Sequence, residues 1–280
     1  MNFYDAHCHL QDAELVPFYP RVFADLDAAG IKRVVVNGSS EADWPAVAAL
    51  ARIQPVVLPS FGLHPWDSGN RSPDWQKALL AQLDAHPSAV IGEIGLDRGI
   101  LTRAKPNDAR LTGLRRAPIE EQIEVFLWQF AIAAERSLPA AIHCVDAWGI
   151  LHDSLSASER PTRGFLLHSY SGPAEMVPAF AKLGAYFSFN ANFLDARRSR
   201  LRGVYAVIPA DRLLIETDAP SVRPLPEQSP FSLPDTPEGL HVNHPANLIA
   251  TYAALADWLK METTDLAAQA EKNFLRLFGS

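Results

Sequence analysis

The stretch FYDAHCHL, residues 3–10, runs from strand-forming aromatics into two imidazoles separated by one residue. Histidines at i and i+2 on a strand point the same way, and neutral imidazole is the commonest metal ligand among side chains. An open, doubly wound α/β sheet would place a glycine-rich phosphate loop here, directly after its first strand. His7-Cys8-His9-Leu10 stand there instead. A closed barrel of parallel strands, by contrast, carries its chemistry on side chains at the C-terminal ends of its strands. Taken alone, the pair is equally compatible with a polar strand end, so later strands have to supply further ligands.

Seven more short apolar runs follow: RVVVN (33–37), PVVLPSFG (55–62), AVIGEIGL (89–96), PAAIHC (139–144), GFLLHS (164–169), AYFSF (185–189) and RLLIET (212–217). Longer amphipathic segments separate them. The clearest covers 118–136, where Ile123, Leu127, Phe130, Ala131 and Ala134 fall on one helical face. Strands alternating with helices imply parallel pairing through crossover connections. The fold expected is α/β, a (β/α)8 TIM barrel forming a single domain over 1–280, closed by C-terminal helices near 245–260 and 264–278. A proline-rich loop at 219–245 reads as an ordered wrap or lid, or as a flexible segment.

Hydrophobic residues make up 48% of the 280 and charged residues 20%, with no apolar run long enough to cross a bilayer, which points to a soluble globular protein. The N-terminus lacks the pattern of a secretory signal. Two cysteines, Cys8 and Cys144, are too few for a disulfide framework and read as small core residues, so a cytoplasmic location is expected. The net charge of −7 argues against generic adhesion to nucleic acid while leaving room for a local basic patch.

The polar residues that close the strands form a selective set. The first strand ends in His7 and His9, the third is followed by Gly62-Leu63-His64-Pro65, the fourth carries Glu93, the fifth ends at His143, the sixth at His168 and the eighth at Asp218. Strand alternation puts Asp5, His7 and His9 on one face, Ile91 with Glu93, Ala141 with His143, Leu166 with His168, and Leu214 with Glu216 and Asp218. Four histidines and two carboxylates without thiolate suit one or two divalent ions, Zn²⁺, Mn²⁺ or Mg²⁺. The surplus of ligands favours two ions sharing a carboxylate; the plainer reading makes some of these residues barrel caps. Glu216, one layer below Asp218, reads as a structural partner, and Asp97 as a group that orients a ligand or contacts substrate, or as a plain loop carboxylate.

Several motifs together resemble the TatD family of metal-dependent deoxyribonucleases, within the amidohydrolase-like TIM barrels. They are DAHCHL (5–10), GLHPW (62–66), IGEIGLD (91–97), Gln122 with Phe126 and Gln129, PAAIHC (139–144), HSYSG (168–172), IPADRLLIETDAP (208–220) and NFLRLFG (273–279). The resemblance implies that His7 and His9 hold one metal ion and His143 and His168 the other. It makes Glu93 the bridge, Asp218 both ligand and general base, and His64 a substrate contact or outer support. Many relatives bridge with a carbamylated lysine on the fourth strand; no lysine here ends a predicted strand.

The substrate implied is DNA, as single strands or 3′ ends, with no membrane and no obligate protein partner. Its candidate contacts are His64, Trp66, Arg98, Arg115 and Arg116; Trp66 could stack a base or simply pack a loop. The loop after the fourth strand also holds Arg103, Lys105 and Arg110, with Asp108 its one acid. A second basic run, 196–202, reads equally as a solvated helix face. Departures from the family pattern lie in both substrate-facing loops. Arg98 stands where an aromatic is usual, and His241, Asn243 and His244 stand where basic and acidic residues are expected, His244 in place of a glutamate. Two rival readings remain at this level: a hydrolase of a small amide, ester or lactone, and a non-catalytic metal-stabilised partner-binding protein.

Overall fold

The computed structural model describes residues 1–105, 111–237, 239 and 241–279. Arg110 and Asp108 of the basic loop, and Leu240 of the later one, lie outside them. Eight parallel strands run in chain order: β1 (Phe3–Cys8), β2 (Ile31–Gly38), β3 (Val57–Phe61), β4 (Val90–Asp97), β5 (Ala140–Val145), β6 (Phe165–Leu167), β7 (Ala185–Phe189) and β8 (Leu213–Ile215). Around them lie α1 (Tyr19–Ala28), α2 (Trp44–Ile53), α3 (Trp75–Ala85), α4 (Gly99–Thr102), α5 (Ile119–Glu135), α6 (Trp148–Ser156), α7 (Val177–Lys182) and α8 (Arg200–Val207). Two further helices, α9 (Leu248–Leu259) and α10 (Thr263–Phe278), end the chain. This is the expected TIM barrel. Among the described residues no helix is long and apolar enough to cross a membrane.

The seam between β8 and β1 is closed by side-chain and main-chain hydrogen bonds together. Asp5 accepts hydrogen bonds from the Thr217 backbone N–H at 3.0 Å and the Thr217 hydroxyl at 2.5 Å. Above it, the His9 N–H donates to the Ala219 carbonyl and the Asp218 N–H to the His7 carbonyl. Asp5 therefore faces β8 rather than joining His7 and His9, as simple alternation had suggested.

The barrel interior takes at least one apolar residue from each strand: Tyr4 and Ala6, then Val35, Leu58, Val90, Ala141, Leu166, Tyr186 and Leu214. Phe274, Leu277 and Phe278 of α10 complete this cluster, so the last helix plugs the end at which the strands begin. Asn273 fixes the plug by donating to the carbonyls of Ala210 and Leu213. The larger apolar shell lies outside, between strands and helices. Alternation holds through β5, β6 and β8 and fails in β4. There Val90 points inward while Ile91, Ile94 and Leu96 pack outward, and a register shift between Ile91 and Ile94 turns Glu93 in. Ile91 and Glu93 thus occupy opposite faces, a correction to the expected pairing.

Candidate metal centre

The strand ends bring the titratable side chains into two adjoining sets. His7 Nε2 lies 3.2 Å from His9 Nε2, 3.4 Å from Glu93 Oε2 and 3.8 Å from Asp218 Oδ1. His9 Nε2 is 3.4 Å from Glu93 Oε2 and 3.7 Å from Asp218 Oδ1. On the other side, Glu93 Oε1 is 2.9 Å from both His143 Nδ1 and His168 Nε2, which are themselves 3.2 Å apart. Donors about 2.1 Å from a tetrahedral ion stand about 3.4 Å from one another. Both sets have that spacing, and the two oxygens of one carboxylate, Glu93, are divided between them.

Contacts behind the site orient three of the four candidate imidazoles, while the buried Nδ1 of His7 has no hydrogen-bond partner among the described residues. His9 places Nδ1 2.8 Å from the Asn37 carbonyl, leaving Nε2 for the site. His143 turns Nε2 toward Asp97 Oδ2 at 3.4 Å, so that Nδ1 faces Glu93. His168 sets Nδ1 3.7 Å from Glu216, a fully buried carboxylate whose oxygens accept from the Ser169 and Ser188 hydroxyls. Asp97 also accepts from the Trp66 indole N–H at 2.6 Å. Burial works to raise the Asp97 carboxyl, but its hydrogen bonds with His143 and Trp66 bring it down to about 2.

Glu93 feels the same opposition. Burial pushes its carboxyl up, and the surrounding imidazoles of His168, His64 and His7 hold it well below the usual carboxylate range. Burial lowers His7 and His64 in turn. Burial opposes charge on His9, His143 and His168 as well, but neighbouring carboxylates, Glu93 among them in each case, raise all three, so a cation binding here would displace protons from those imidazoles.

His64 is positioned differently. Its Nδ1 accepts from the Trp66 backbone N–H at 3.2 Å, so the neutral ring carries its proton on Nε2 and presents a donor 3.4 Å from Glu93 Oε1. Two buried glutamines of α5, seven residues apart, hold the backbone on either side. Gln129 clamps Leu63 by accepting from its N–H and donating to its carbonyl, and Gln122 does the same for Asp97. Gly95 is needed for close strand packing: its φ is +143°, and a Cβ there would lie 2.0 Å from the His143 carbonyl. Asp218 itself adopts a left-handed backbone at φ +49°, a conformation concentrated at functional sites.

The family model described as TatD-related DNase matches residues 4–279. The chain belongs to the TatD family. It is 32% identical over 256 residues to the 3′-5′ ssDNA/RNA exonuclease TatD of Escherichia fergusonii, covering 90% of this chain and 89% of that protein. It is 31% identical over 255 residues to the protein of the same description from Escherichia coli K12, with 90% and 89% covered. Among solved structures, a TatD homologue from Escherichia coli K12 superposes with a TM-score of 0.83 at 23% identity, covering 99% of this chain and 98% of that one. A TatD family hydrolase from Entamoeba histolytica gives 0.78 at 17% identity, over 100% and 99%. Both structural likenesses speak for the fold alone. As a TatD family member the chain is a hydrolase of ester bonds.

All six candidate ligands of this TatD protein converge, and His64 and Trp66 join most of them around a cavity of about 270 Å³ at the mouth. Arg98, Arg115 and Arg116 are not among its lining residues. Arg115 forms a two-pronged pair with Glu121 and donates to the Gly69 carbonyl, while Arg116 donates to the carbonyls of Ile100, Ala104 and Lys105. Sequence reasoning missed Asp12, Ser39, Asp67 and Ser221, which line the mouth from loops without any motif of their own. His244 does not reach it. It is buried, stacks on Phe231 and sets Nε2 3.2 Å from Asp25 Oδ2, pinning the long loop to α1. Asn247 and Asn243 pin the same loop, through Phe231 and the Thr217 carbonyl respectively.

Proposed function

We propose that this chain hydrolyses phosphodiester bonds in single-stranded DNA, working inward from 3′ ends, with two divalent cations bound at the barrel mouth. The observation that carries this reading is the division of Glu93, one oxygen toward His7, His9 and Asp218 and the other toward His143 and His168. His7, His9, Glu93 and Asp218 would hold one cation; Glu93, His143 and His168 would hold the other and leave it an open position. When bound, such ions polarise a phosphoryl oxygen and bring the pKa of water to near neutrality.

The remaining work falls to side chains of the protein. Asp218, partly exposed at the mouth, takes the proton of the attacking water at its carboxylate. His64 offers its Nε2–H from the opposite wall, where negative charge develops on the phosphoryl oxygens. Asp97 and Glu216 keep His143 and His168 aimed inward. The names borne by the relatives support single-stranded nucleic acid as substrate. The free, buried state of Cys8 and Cys144 agrees with a reducing cytoplasm.

The test is cleavage of an end-labelled single-stranded oligonucleotide by protein stripped of metal and resupplied with Mg²⁺, Mn²⁺ or Zn²⁺, beside Asp218→Asn. Metal-dependent cutting that disappears in the variant is the expected result. A metal-loaded wild type that leaves the oligonucleotide intact would refute the nuclease reading and direct assays to small amides, esters and lactones.

A further inference from the structure

A second cavity, of about 420 Å³, opens on the same end of the barrel, and its walls come from four different strand-to-helix connections. Arg103 reaches it from the segment after β4, Asp146 and Trp148 from that after β5, Ser171 from that after β6, and Arg197, Arg198 and Arg200 from that after β7. It adjoins the metal centre. Val145, in its wall, is two residues beyond His143, and Ser171 is three beyond His168. Arg103 Nη2 and Asp97 Oδ1 both lie within 4 Å of the point a Cβ on Gly99 would occupy.

The charge balance of this cavity is opposite to that of the protein. The chain carries −7 overall, yet four guanidinium groups converge here from two distant segments. A solvated helix face would spread such charges; here they surround a concavity. Arg103 pairs with Asp146 at 2.5 Å, both side chains exposed, a kind of pair that contributes little, whereas Arg197 is held through Nε and Nη2 by the partly buried Asp195. Arg200 donates only to the Ser171 carbonyl, and the Arg198 guanidinium has no hydrogen-bond or ion-pair partner among the described residues. Neither has a carboxylate within ion-pair distance among the described residues, although Asp195, paired with Arg197, also feels the charge of Arg198. Arg200 and Leu201 are also the first two residues of α8, whose positive helix end adds to the field. Trp148, half-buried in the wall, supplies an aromatic surface of the kind on which bases stack.

We propose that this cavity is a backbone-binding subsite for single-stranded DNA, engaging phosphates of the substrate strand a few nucleotides from the bond being cut. The proposal rests on the nuclease reading for its meaning, while its binding chemistry is separable from catalysis. Arg198 and Arg200 bind phosphate directly, and Arg103 exchanges its exposed carboxylate partner for it. Guanidinium forks match phosphate oxygens in geometry as well as charge.

The experiment is fluorescence anisotropy with a fluorescein-labelled twelve-nucleotide oligothymidylate, on full-length protein in EDTA, over a range of NaCl concentrations. Comparison is made with Arg198→Ala/Arg200→Ala, with Arg198→Glu/Arg200→Glu, and with Arg160→Ala/Lys182→Ala. The last pair removes the same charge from a cavity among residues that precede β6, β7 and β8, at the opposite barrel end. Loss of two phosphate contacts lowers the slope of log Kd against log salt by about 1.4 and weakens binding about tenfold at low salt. The charge-reversed pair weakens it further, and the opposite-end pair stays within twofold of wild type. Arg198, Arg200, Arg160 and Lys182 are all exposed, and thermal melts are the check that each variant is folded.

Equal binding by wild type and Arg198→Ala/Arg200→Ala would overturn the proposal. So would equal losses in the two alanine pairs, which would reduce the effect to net charge, or failure of the wild type to bind the oligonucleotide. A wild type that binds through Arg198 and Arg200 yet cuts no DNA with any metal supports the subsite and defeats only the nuclease reading. One that cuts DNA while its binding ignores both arginines defeats only the subsite.

Discussion

Replacing Gln122 with methionine tests how the helical layer holds the metal centre. The Gln122 side chain is fully buried; it accepts from the Asp97 N–H at 2.8 Å and donates to the carbonyls of Asp97 at 3.2 Å and Ala117 at 3.0 Å. Methionine fills nearly the same volume, so little cavity is created. What changes is that the Asp97 N–H loses its acceptor in a place water does not reach. A buried unsatisfied donor costs about 1–3 kcal/mol, and two carbonyls each losing one bond bring the expected total to about 2–4 kcal/mol. For a chain of this length the unfolding entropy converts that to a fall in Tm of about 3–7 °C.

The second consequence concerns the site. Asp97 fixes Trp66 and the outward nitrogen of His143, so its release should cost about 10–100-fold in metal affinity. Calorimetry of metal-free protein and titration with Zn²⁺ measure the two effects separately, with the exposed Gln76→Met on α3 as control. A Tm within about 1 °C of wild type, well short of the shift expected from the lost bonds, would mean that the sheet alone fixes Asp97 and that the glutamine clamp contributes nothing.

Other expectations follow from the same geometry. Asp218→Asn should keep the wild-type melting curve and lose at least about 100-fold in kcat, whereas Glu93→Ala should lose bound metal, read by elemental analysis, because it removes a donor from both sets; full metal content in Glu93→Ala would contradict the shared-carboxylate geometry. Gly95→Ala should yield protein that is misfolded or markedly destabilised, since its methyl group would meet the His143 carbonyl at 2.0 Å; a soluble variant with unchanged Tm would contradict the packing. Burial holds the His244 imidazole down at about 4, against an ordinary value of 6.5, despite Asp25, with Arg21 reinforcing the shift. The folded protein then binds fewer protons than the unfolded chain between those values, so stability present above pH 6.5 is lost as pH falls toward 4. The Tm advantage of wild type over His244→Gln should shrink across that window, and parallel pH curves would rule the contribution out.

Much of the architecture is local in origin and is readable from the chain. Period-two and helical apolar patterns depend on neighbours a few residues away, so all eight strands, α5 and the two C-terminal helices fall close to where the periodicity puts them. The ligands are legible for a related reason: a histidine or carboxylate at the end of an apolar strand must find a partner there, and six such residues gathered at one barrel mouth are suited above all to binding cations together. Strict alternation misplaces Asp5 and the Ile91–Glu93 pairing, because a register shift is a property of two paired strands and leaves no mark in either one alone.

What only the tertiary structure decided are relations between distant segments. Asp5 closes the seam with Thr217 across 212 residues, and α10 plugs the barrel through Phe274, Leu277 and Phe278. Arg116 satisfies carbonyls of its own loop, and Arg115 ties that loop to Gly69 and to Glu121 of α5, away from the mouth cavity. Arg103 meets Arg198 and Arg200 around a cavity that neither basic run announces by itself. Hydrophobic periodicity locates the strands and helices, but it does not by itself fix every face: α5 buries Gln122, Val125, Phe126, Gln129, Phe130 and Ala133, where the stripe read from the sequence held only Phe130 of these. Nor does it specify what a face will meet. That is settled only when the whole sheet closes and its loops are brought to one end.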